Sequence, residues 1–219
     1  MKQIIVFSGI DSAGKSTQID ILKKEFISKK TRYKIIWSRG GYTSLFEFMK
    51  KLVRLFFGKK LPKPGRNTER QEMFNKKSVS KLWYVLAMLD LIRLYAFTFR
   101  LYRFLGITII ADRYLWDTYV DFNISLGNIN LSKSILWKIA VLLSPKPRKS
   151  ILLYVSPEVS FQRSVDKNEP HFDELSVREN RIRYYESLII EGKWKLVIDT
   201  EKESVKNTSQ KIKEYIYGI

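Results

Sequence analysis

Cysteine is absent from the 219 residues of this chain, and histidine occurs once, at His171. The lack of cysteine excludes disulfide bonds, thiolate catalysis and cysteine zinc sites, and one histidine leaves little for any other zinc site. We expect His171 to be a surface loop residue. No internal repeat or low-complexity tract is present. Because residues 3–8 already have the pattern of a core strand, no signal peptide is expected, and a reducing cytoplasm is the expected compartment.

The size and composition of the chain predict one domain with a basic surface. A hydrophobic content of 45 % over 219 residues can bury one sizeable core. Lysine and arginine number 40 against 22 acidic residues, a net charge of +18. Such an excess attracts polyanions, which include nucleotides, nucleic acid and acidic membrane surfaces. Contact with nucleic acid or a membrane stays open but is not the favoured interpretation.

Two apolar segments allow more than one interpretation. Residues 50–60, KKLVRLFFGKK, are basic and apolar, which is typical either of a helix on a membrane surface or of a solvated flank over a core contact. Residues 82–99 are apolar enough to resemble a membrane span. Asp90 and Arg93 near the middle of that segment would each cost about 2.5–3.5 kcal/mol in a bilayer, so a long buried helix is favoured.

Short apolar runs alternate with helical patterns along the chain. The runs occupy residues 3–8, 33–37, 107–111, 151–155 and 195–198. Strands of this length and apolarity, separated by helices, are typical of a parallel sheet that is covered on both faces. The sequence therefore predicts an α/β domain whose chemistry lies at the carboxyl ends of the strands.

The first strand runs into a phosphate-binding pattern. Residues 9–17, GIDSAGKST, fit GxxxxGK[ST] at every fixed position, and an apolar helical pattern follows them. In such a loop Lys15 reaches the β- and γ-phosphates and Ser16 offers its hydroxyl to Mg²⁺. The alternative is a glycine turn that binds no nucleotide. The predicted ATP-binding residues are Gly9, Ser12, Ala13, Gly14, Lys15, Ser16 and Thr17.

The third strand ends in a second candidate site, Asp112-Arg113-Tyr114. A carboxylate at the tip of a buried strand beside a phosphate loop is well placed to hold Mg²⁺, directly or through water. We therefore predict Asp112 and Ser16 as the metal residues. Arg113 would present a fork of donors to phosphoryl oxygens.

Taken in order, these motifs resemble the thymidylate kinase family of nucleoside monophosphate kinases over nearly the whole chain. The loop at 9–17 is similar to the family's loop, with its acid at Asp11, and residues 37–39, WSR, are similar to its Phe-Pro-Arg. Residues 112–114 match its Asp-Arg-Tyr. Residues 157–163 resemble the Pro-Glu-x-x-x-x-Arg before its lid, and residues 197–200 resemble its closing Ile-Asp-Ala.

The resemblance implies a P-loop kinase fold with a five-stranded parallel sheet, helices on both faces and a short lid at about residues 166–174. It also implies ATP- and Mg²⁺-dependent transfer of the γ-phosphoryl group to a nucleoside monophosphate, with dTMP as the first candidate. Because the transition state of phosphoryl transfer is loose, the protein contributes mainly the positioning of the reactants and positive charge around the transferred group. The implied catalytic residues are Asp11, Lys15, Arg113, Arg163 and Lys167, the last two because family members with no arginine in the loop carry a basic lid.

The implied acceptor site departs from the family pattern. Alignment of the long helix places Ala87 where the family has a stacking Phe and Leu91 where it has an Arg, and we expect both to line one pocket. Asp117-Thr118 replaces a polar pair, and Asp121 replaces an aromatic residue. Trp83 or Trp116 could supply a substitute ring, or both could be core residues. The implied acceptor-binding residues are Asp11, Arg39, Ala87, Leu91, Arg113, Asp117, Thr118 and Asp121.

Two other functions stay open on the sequence alone. One is a kinase for another small phosphorylated or hydroxylated acceptor, with Asp11 or Asp112 placing or deprotonating the attacking oxygen. The other is a nucleotide-binding protein that docks on nucleic acid or a membrane through its basic surface. ATP and a small acceptor are the expected partners, and a homodimer would agree with the helix-packed dimers common in the family.

Overall fold

The computed structural model describes residues 3–39, 77–127, 129–168 and 172–218. Its strands are β1 Ile4–Ser8, β2 Tyr33–Trp37, β3 Thr108–Asp112, β4 Lys149–Tyr154 and β5 Leu196–Asp199. Its α-helices are α1 Lys15–Ser28, α2 Lys77–Ile92, α3 Phe99–Phe104, α4 Leu115–Ser125, α5 Ile135–Leu143, α6 Pro157–Asp166, α7 Leu175–Ile190 and α8 Val205–Tyr217. A π-helical segment, Arg93–Thr98, joins α2 to α3, and a 3₁₀ turn, Leu131–Lys133, precedes α5.

The five strands form one sheet in the order β2-β3-β1-β4-β5, and every neighbouring pair is parallel. The predicted α/β fold is confirmed. Because β1 is central, the loop that follows it emerges between the carboxyl ends of β3 and β4. The carboxyl ends of β1 and β3, with their candidate site residues, are therefore neighbours near the centre of the row formed by the carboxyl ends of the five strands.

Both faces of the sheet carry helices, which explains the uninterrupted apolar runs of the strands. Alternate residues of β1 enter different cores: Ile5 and Phe7 pack with α1, α7 and α8, whereas Ile4 and Val6 pack with α2, α4 and α5. Neither side of a central strand meets water, so an alternating polar pattern would have left polar groups buried.

The apolar segment at 82–99 lies within one long helical run of α2, the π-helical segment and α3. Its inner side, which includes Tyr84, Met88 and Tyr95, is buried against the sheet. Residues 80–104 are long and apolar enough to cross a membrane by length and composition, but half of the most apolar window is buried within the protein. A core helix is the simpler interpretation of that burial. The basic segment at 50–60 lies outside the described residues.

Candidate active site

The loop at 9–17 joins β1 to α1 and depends on both of its glycines. Gly9 has φ 137°, and a Cβ there would lie 2.4 Å from the carbonyl oxygen of Leu153. Gly14 has φ 91° and caps the N-terminus of α1. The first N–H groups of α1 have no intrahelical partner, so this terminus favours an anion.

Lys15 is the first residue of α1 and is buried. Its Nζ donates hydrogen bonds to the carbonyl oxygens of Gly9, at 2.9 Å, and Ile10, at 2.7 Å. Burial, together with the nearby Arg113 guanidinium, lowers the pKa of Lys15 to about 8. The ammonium group is therefore held at the base of the loop, where its charge is costly without an anion.

A polar cavity of about 200 Å³ opens beside the loop. Its lining contains cationic, carboxylate and hydroxyl side chains together with one indole ring. The residues that line it are Asp11, Ser12, Gly14, Lys15, Ser16, Thr17, Trp37, Asp112, Arg113 and Lys167. Residues from the loop, the ends of β2 and β3, and the chain just after α6 thus meet here, as a phosphate-transfer site requires.

The predicted metal residues Asp112 and Ser16 both line the cavity. Asp112 Oδ1 is buried and accepts no hydrogen bond from the described residues. Burial raises the pKa of Asp112 above its ordinary value, although Lys15 opposes that shift. Mg²⁺ commonly takes one or two carboxylates and fills its remaining positions with water and substrate phosphates. A carboxylate and a loop hydroxyl at one cavity are of the types that such a donor set uses.

Arg113 spans the loop from the end of β3. Its Nη2 donates to Asp11 Oδ1, and its Nη1 donates to the carbonyl oxygen of Gly9 at 3.2 Å. Burial alone would raise the pKa of Asp11, but Arg113 and Lys15 hold it well below the ordinary value. Asp11 is therefore ionised at neutral pH and a weak base, better suited to orienting Arg113 than to deprotonating an acceptor.

Asp121 connects the end of β2 to α7. Its Oδ2 lies 3.3 Å from Nε of Arg39, and its Oδ1 accepts from Nη1 of Arg181. Nε of Arg181 also donates to Asp173 Oδ2 at 2.9 Å. Although burial acts to raise it, the pKa of Asp121 is lowered by Arg181 and Arg39. The predicted acceptor residues Arg39 and Asp121 are thus brought together as an ion pair.

A second arginine of α7, Arg178, ties the lid region to the loop. The fully buried guanidinium donates to Ser160 Oγ, to Ser164 Oγ at 2.9 Å and to the Asp173 carbonyl oxygen at 2.8 Å. The two serines continue to the loop: Ser160 Oγ donates to the Asp11 carbonyl oxygen at 2.7 Å, and Ser164 Oγ lies 2.9 Å from Ser12 Oγ.

Sequence reasoning missed Arg178 and Arg181, although a signal was present. Both lie in phase with Ile182, Tyr185 and Leu188 on the buried side of α7. A charged residue at an apolar helical phase indicates a buried ion pair or hydrogen-bond network.

The two predicted lid residues occupy different places. Lys167, directly after α6, lines the cavity. Arg163 instead donates to Thr200 at the end of β5, at 3.1 Å to Oγ1 and 2.8 Å to the carbonyl oxygen. Nη1 of Arg163 also donates to the carbonyl oxygen of Ser12 in the loop, at 3.5 Å, so Arg163 lies between the loop and β5. That both residues face a transferring phosphoryl group stays a prediction. Residues 169–171 of the predicted lid, including His171, lie outside the described residues.

Besides Asp121, four predicted acceptor residues are buried and do not line the cavity. Ala87 and Leu91 share one side of α2, as expected, but that side packs in the core against the sheet. Thr118 is buried 3.3 Å from the Tyr95 hydroxyl, which comes from the π-helical segment. The structure thus differs from the expectation of a pocket lined by Ala87 and Leu91, because that side of the helix covers β1 and β3.

Asp117, the fourth of these residues, organises the base of the loop. Its carboxylate accepts from Ser8 Oγ at 2.6 Å, from the Gly9 N–H at 3.3 Å, from the Tyr114 N–H at 3.0 Å and from the Tyr185 hydroxyl at 2.6 Å. Four donors already occupy this carboxylate, so it supports the site rather than contacting an acceptor.

An aromatic ring is present at the cavity, but from a residue other than those predicted. Trp37 at the end of β2 lines the cavity and is 48 % exposed. Trp116 packs instead against Trp137, with ring centroids 6.1 Å apart, and Trp83 packs against the core. The sequence contains Trp37 in the 37–39 motif, but only the course of the backbone shows that β2 ends at the cavity.

This arrangement of sheet, helices and loop is a P-loop kinase fold. Among solved structures, the chain is similar to thymidylate kinase from Candida albicans, a protein described as having broad substrate specificity, with a TM-score of 0.61 and 17 % identity. The match covers 99 % of this chain and 91 % of that chain. No protein-family model and no curated protein sequence matches. At this identity the likeness shows the fold, and the site must carry any functional argument.

Proposed function

We propose that the protein is an ATP- and Mg²⁺-dependent phosphotransferase that acts on a nucleoside monophosphate, with dTMP as the first candidate acceptor. The observation that carries the proposal is the cavity, which is lined by the cationic residues Lys15, Arg113 and Lys167 and by Asp112. Likeness to a thymidylate kinase fold supports a nucleotide kinase activity.

Positioning and charge stabilisation are what these residues would contribute. The N-terminus of α1 and Lys15 bind the phosphate chain of ATP, while Arg113 and Lys167 place positive charge beside the transferred group. Asp112 and Ser16 would hold Mg²⁺, which supplies neutralisation of charge on the β- and γ-phosphates when it is bound. Arg39, held by Asp121, is the candidate donor to the acceptor phosphate.

The buried positions of Ala87 and Leu91 leave base recognition to other residues. Trp37 is the exposed ring beside the cavity, and stacking on an aromatic residue contributes about 1–3 kcal/mol per base. Stacking tolerates different bases, so Trp37 supports an acceptor with a planar ring without selecting thymine.

A transfer assay with labelled ATP and a panel of acceptors tests the proposal. The panel contains dTMP, other nucleoside monophosphates and small hydroxylated compounds. Lys15→Ala should abolish transfer, whereas Lys24→Ala, at an exposed position of the same helix, should leave the rate unchanged. Equal rates in wild type and Lys15→Ala would show that this loop is not catalytic. Transfer only to a hydroxylated compound would replace the acceptor class and favour Asp112, whose pKa is raised by burial, as the base.

A further inference from the structure

The backbone takes an unusual turn where β3 enters the active site. Asp112 and Arg113 are consecutive in the chain, yet both line the cavity. In a regular strand, successive side chains point to opposite faces of the sheet. Arg113 directly follows β3 and has φ 74°, in the left-handed region that residues other than glycine rarely adopt. Such a conformation persists only where the surrounding structure holds it.

Ser38, the first residue after β2, holds this turn by two hydrogen bonds. Its N–H donates to the carbonyl oxygen of Asp112 at 3.2 Å, and its Oγ donates to the carbonyl oxygen of Arg113 at 3.0 Å. Ser38 is itself buried. The end of β2 is therefore bound to the two consecutive residues that reach the cavity from β3.

Three buried hydroxyl groups form a chain that ends on the same carbonyl oxygen. Ser38 Oγ lies 2.9 Å from the Tyr95 hydroxyl, which lies 3.3 Å from Thr118 Oγ1. Each hydroxyl has one proton to donate, and a carbonyl oxygen can only accept. Because Ser38 gives its proton to Arg113, Tyr95 donates to Ser38 and Thr118 donates to Tyr95. The direction of every hydrogen bond in this chain is therefore set by its last acceptor.

Tyr95 occupies the centre of this chain because of the π-helical segment Arg93–Thr98. Segments of this kind occur frequently at functional sites. The Tyr95 ring packs against Phe99 and Tyr114, with ring centroids 5.5 and 4.5 Å away. Burial raises the pKa of Tyr95 above its ordinary value, so the hydroxyl keeps the proton that it donates. Phenylalanine at this position would keep the ring contacts and lose only the hydroxyl.

We propose that Tyr95 is a positioning residue, which acts through Ser38 to hold the backbone of Asp112 and Arg113 in the turn that the active site uses. The inference rests on the proposed function for the roles of Asp112 and Arg113. Tyr95 is fully buried and does not line the cavity, so it touches neither nucleotide nor acceptor. Loss of its hydroxyl should therefore slow the transfer step and leave the binding of ATP nearly unchanged.

Steady-state kinetics with labelled ATP test the proposal. Tyr95→Phe should lower kcat about five- to tenfold, as expected for the loss of one hydrogen bond, and should change KM for ATP by less than about twofold. Thr118→Val removes the first donor of the chain and should also lower kcat, whereas Thr118→Ser keeps that donor and should retain most of the rate.

The matched control is Tyr84→Phe. Tyr84 is a buried tyrosine whose hydroxyl lies 2.6 Å from Ser134 Oγ, away from the cavity. This variant also removes one buried tyrosine hydroxyl, so it should lower Tm by a similar amount and leave kcat unchanged. An unchanged kcat in Tyr95→Phe would overturn the proposal. An equal fall of kcat in Tyr84→Phe would do the same, because it would show a general loss of stability.

NMR of protein labelled with ¹⁵N-arginine gives a measurement that needs no turnover. The backbone amide signal of Arg113, identified by its absence from Arg113→Lys, should shift in Tyr95→Phe and stay in place in Tyr84→Phe. A shifted signal in a protein that transfers phosphate to no acceptor would refute the proposed function and support the positioning of Arg113. An unshifted signal in Tyr95→Phe would overturn the positioning role, whatever the activity.

Discussion

Replacing Arg178 by methionine should destabilise the protein while nearly preserving the side-chain volume. From a fully buried site the guanidinium donates hydrogen bonds to Ser160, Ser164 and Asp173. Bonds to a charged group contribute about 1.5–3 kcal/mol each, which gives a gross loss of roughly 4.5–9 kcal/mol. Removing a buried charge also returns several kcal/mol of desolvation free energy. We therefore expect the free energy of unfolding to fall by about 2–4 kcal/mol.

Urea unfolding followed by tryptophan fluorescence measures this change, and calorimetry should show Tm lower by roughly 4–16 °C for a chain of this size. Arg183→Met is the matched control, because Arg183 lies on the same helix but is exposed, and its effect should stay within about 0.5 kcal/mol. A methionine variant at Arg178 as stable as that control would refute the reasoning, since desolvation would then cancel these hydrogen bonds.

Three further predictions concern the cavity. The affinity for ATP should fall as pH rises through about 8, where Lys15 of the free protein loses its proton, and calorimetric titration of Lys15→Arg should show no such fall. Lys167→Ala should lower kcat more than it raises KM for ATP, whereas Arg163→Ala should mainly lower Tm. Steady-state kinetics measure the first effect and calorimetry the second. A fall of kcat in the Arg163 variant and of Tm alone in the Lys167 variant would contradict the assigned positions. Trp37→Ala should raise KM for the acceptor by roughly 5- to 150-fold and Trp37→Phe by less, and an unchanged KM in the alanine variant would remove the ring from acceptor binding.

The sheet and the loop were predictable because their signals are local. Five apolar runs separated by helical patterns leave few arrangements other than a covered parallel sheet, and the structure has those strands within a residue or two. The loop was equally predictable, because its two glycines mark it in the sequence. In the structure Gly9 and Gly14 adopt backbone angles that other residues rarely take. Each of these inferences needs only the neighbouring sequence.

The surroundings of the site were not predictable in the same way. Whether a carboxylate such as Asp117 faces a ligand or the core depends on donors from β1, α4 and α7, which are far apart in sequence. The direction in which Ala87 and Leu91 point depends on how α2 lies on the sheet. The wider turn of the π-helical segment, which places Tyr95 beside Ser38 and Thr118, has no sequence signature that we could use.

Because Asp121 pairs with both Arg39 and Arg181, acceptor binding at Arg39, as proposed above, would be coupled to the position of α7. An acceptor phosphate that binds Arg39 would compete with Asp121 for that guanidinium. If the ion pair between Asp121 and Arg39 weakens, the ion pair between Asp121 and Arg181 should strengthen. Arg181 in turn holds Asp173, whose own backbone is held by Arg178 beside the phosphate loop. Free-energy coupling of this kind is reciprocal: whatever the acceptor does to the affinity for ATP, ATP must do equally to the affinity for the acceptor. Asp121→Asn removes the carboxylate charge that links Arg39 to Arg181. In that variant the affinity for the acceptor should no longer depend on whether ATP is bound.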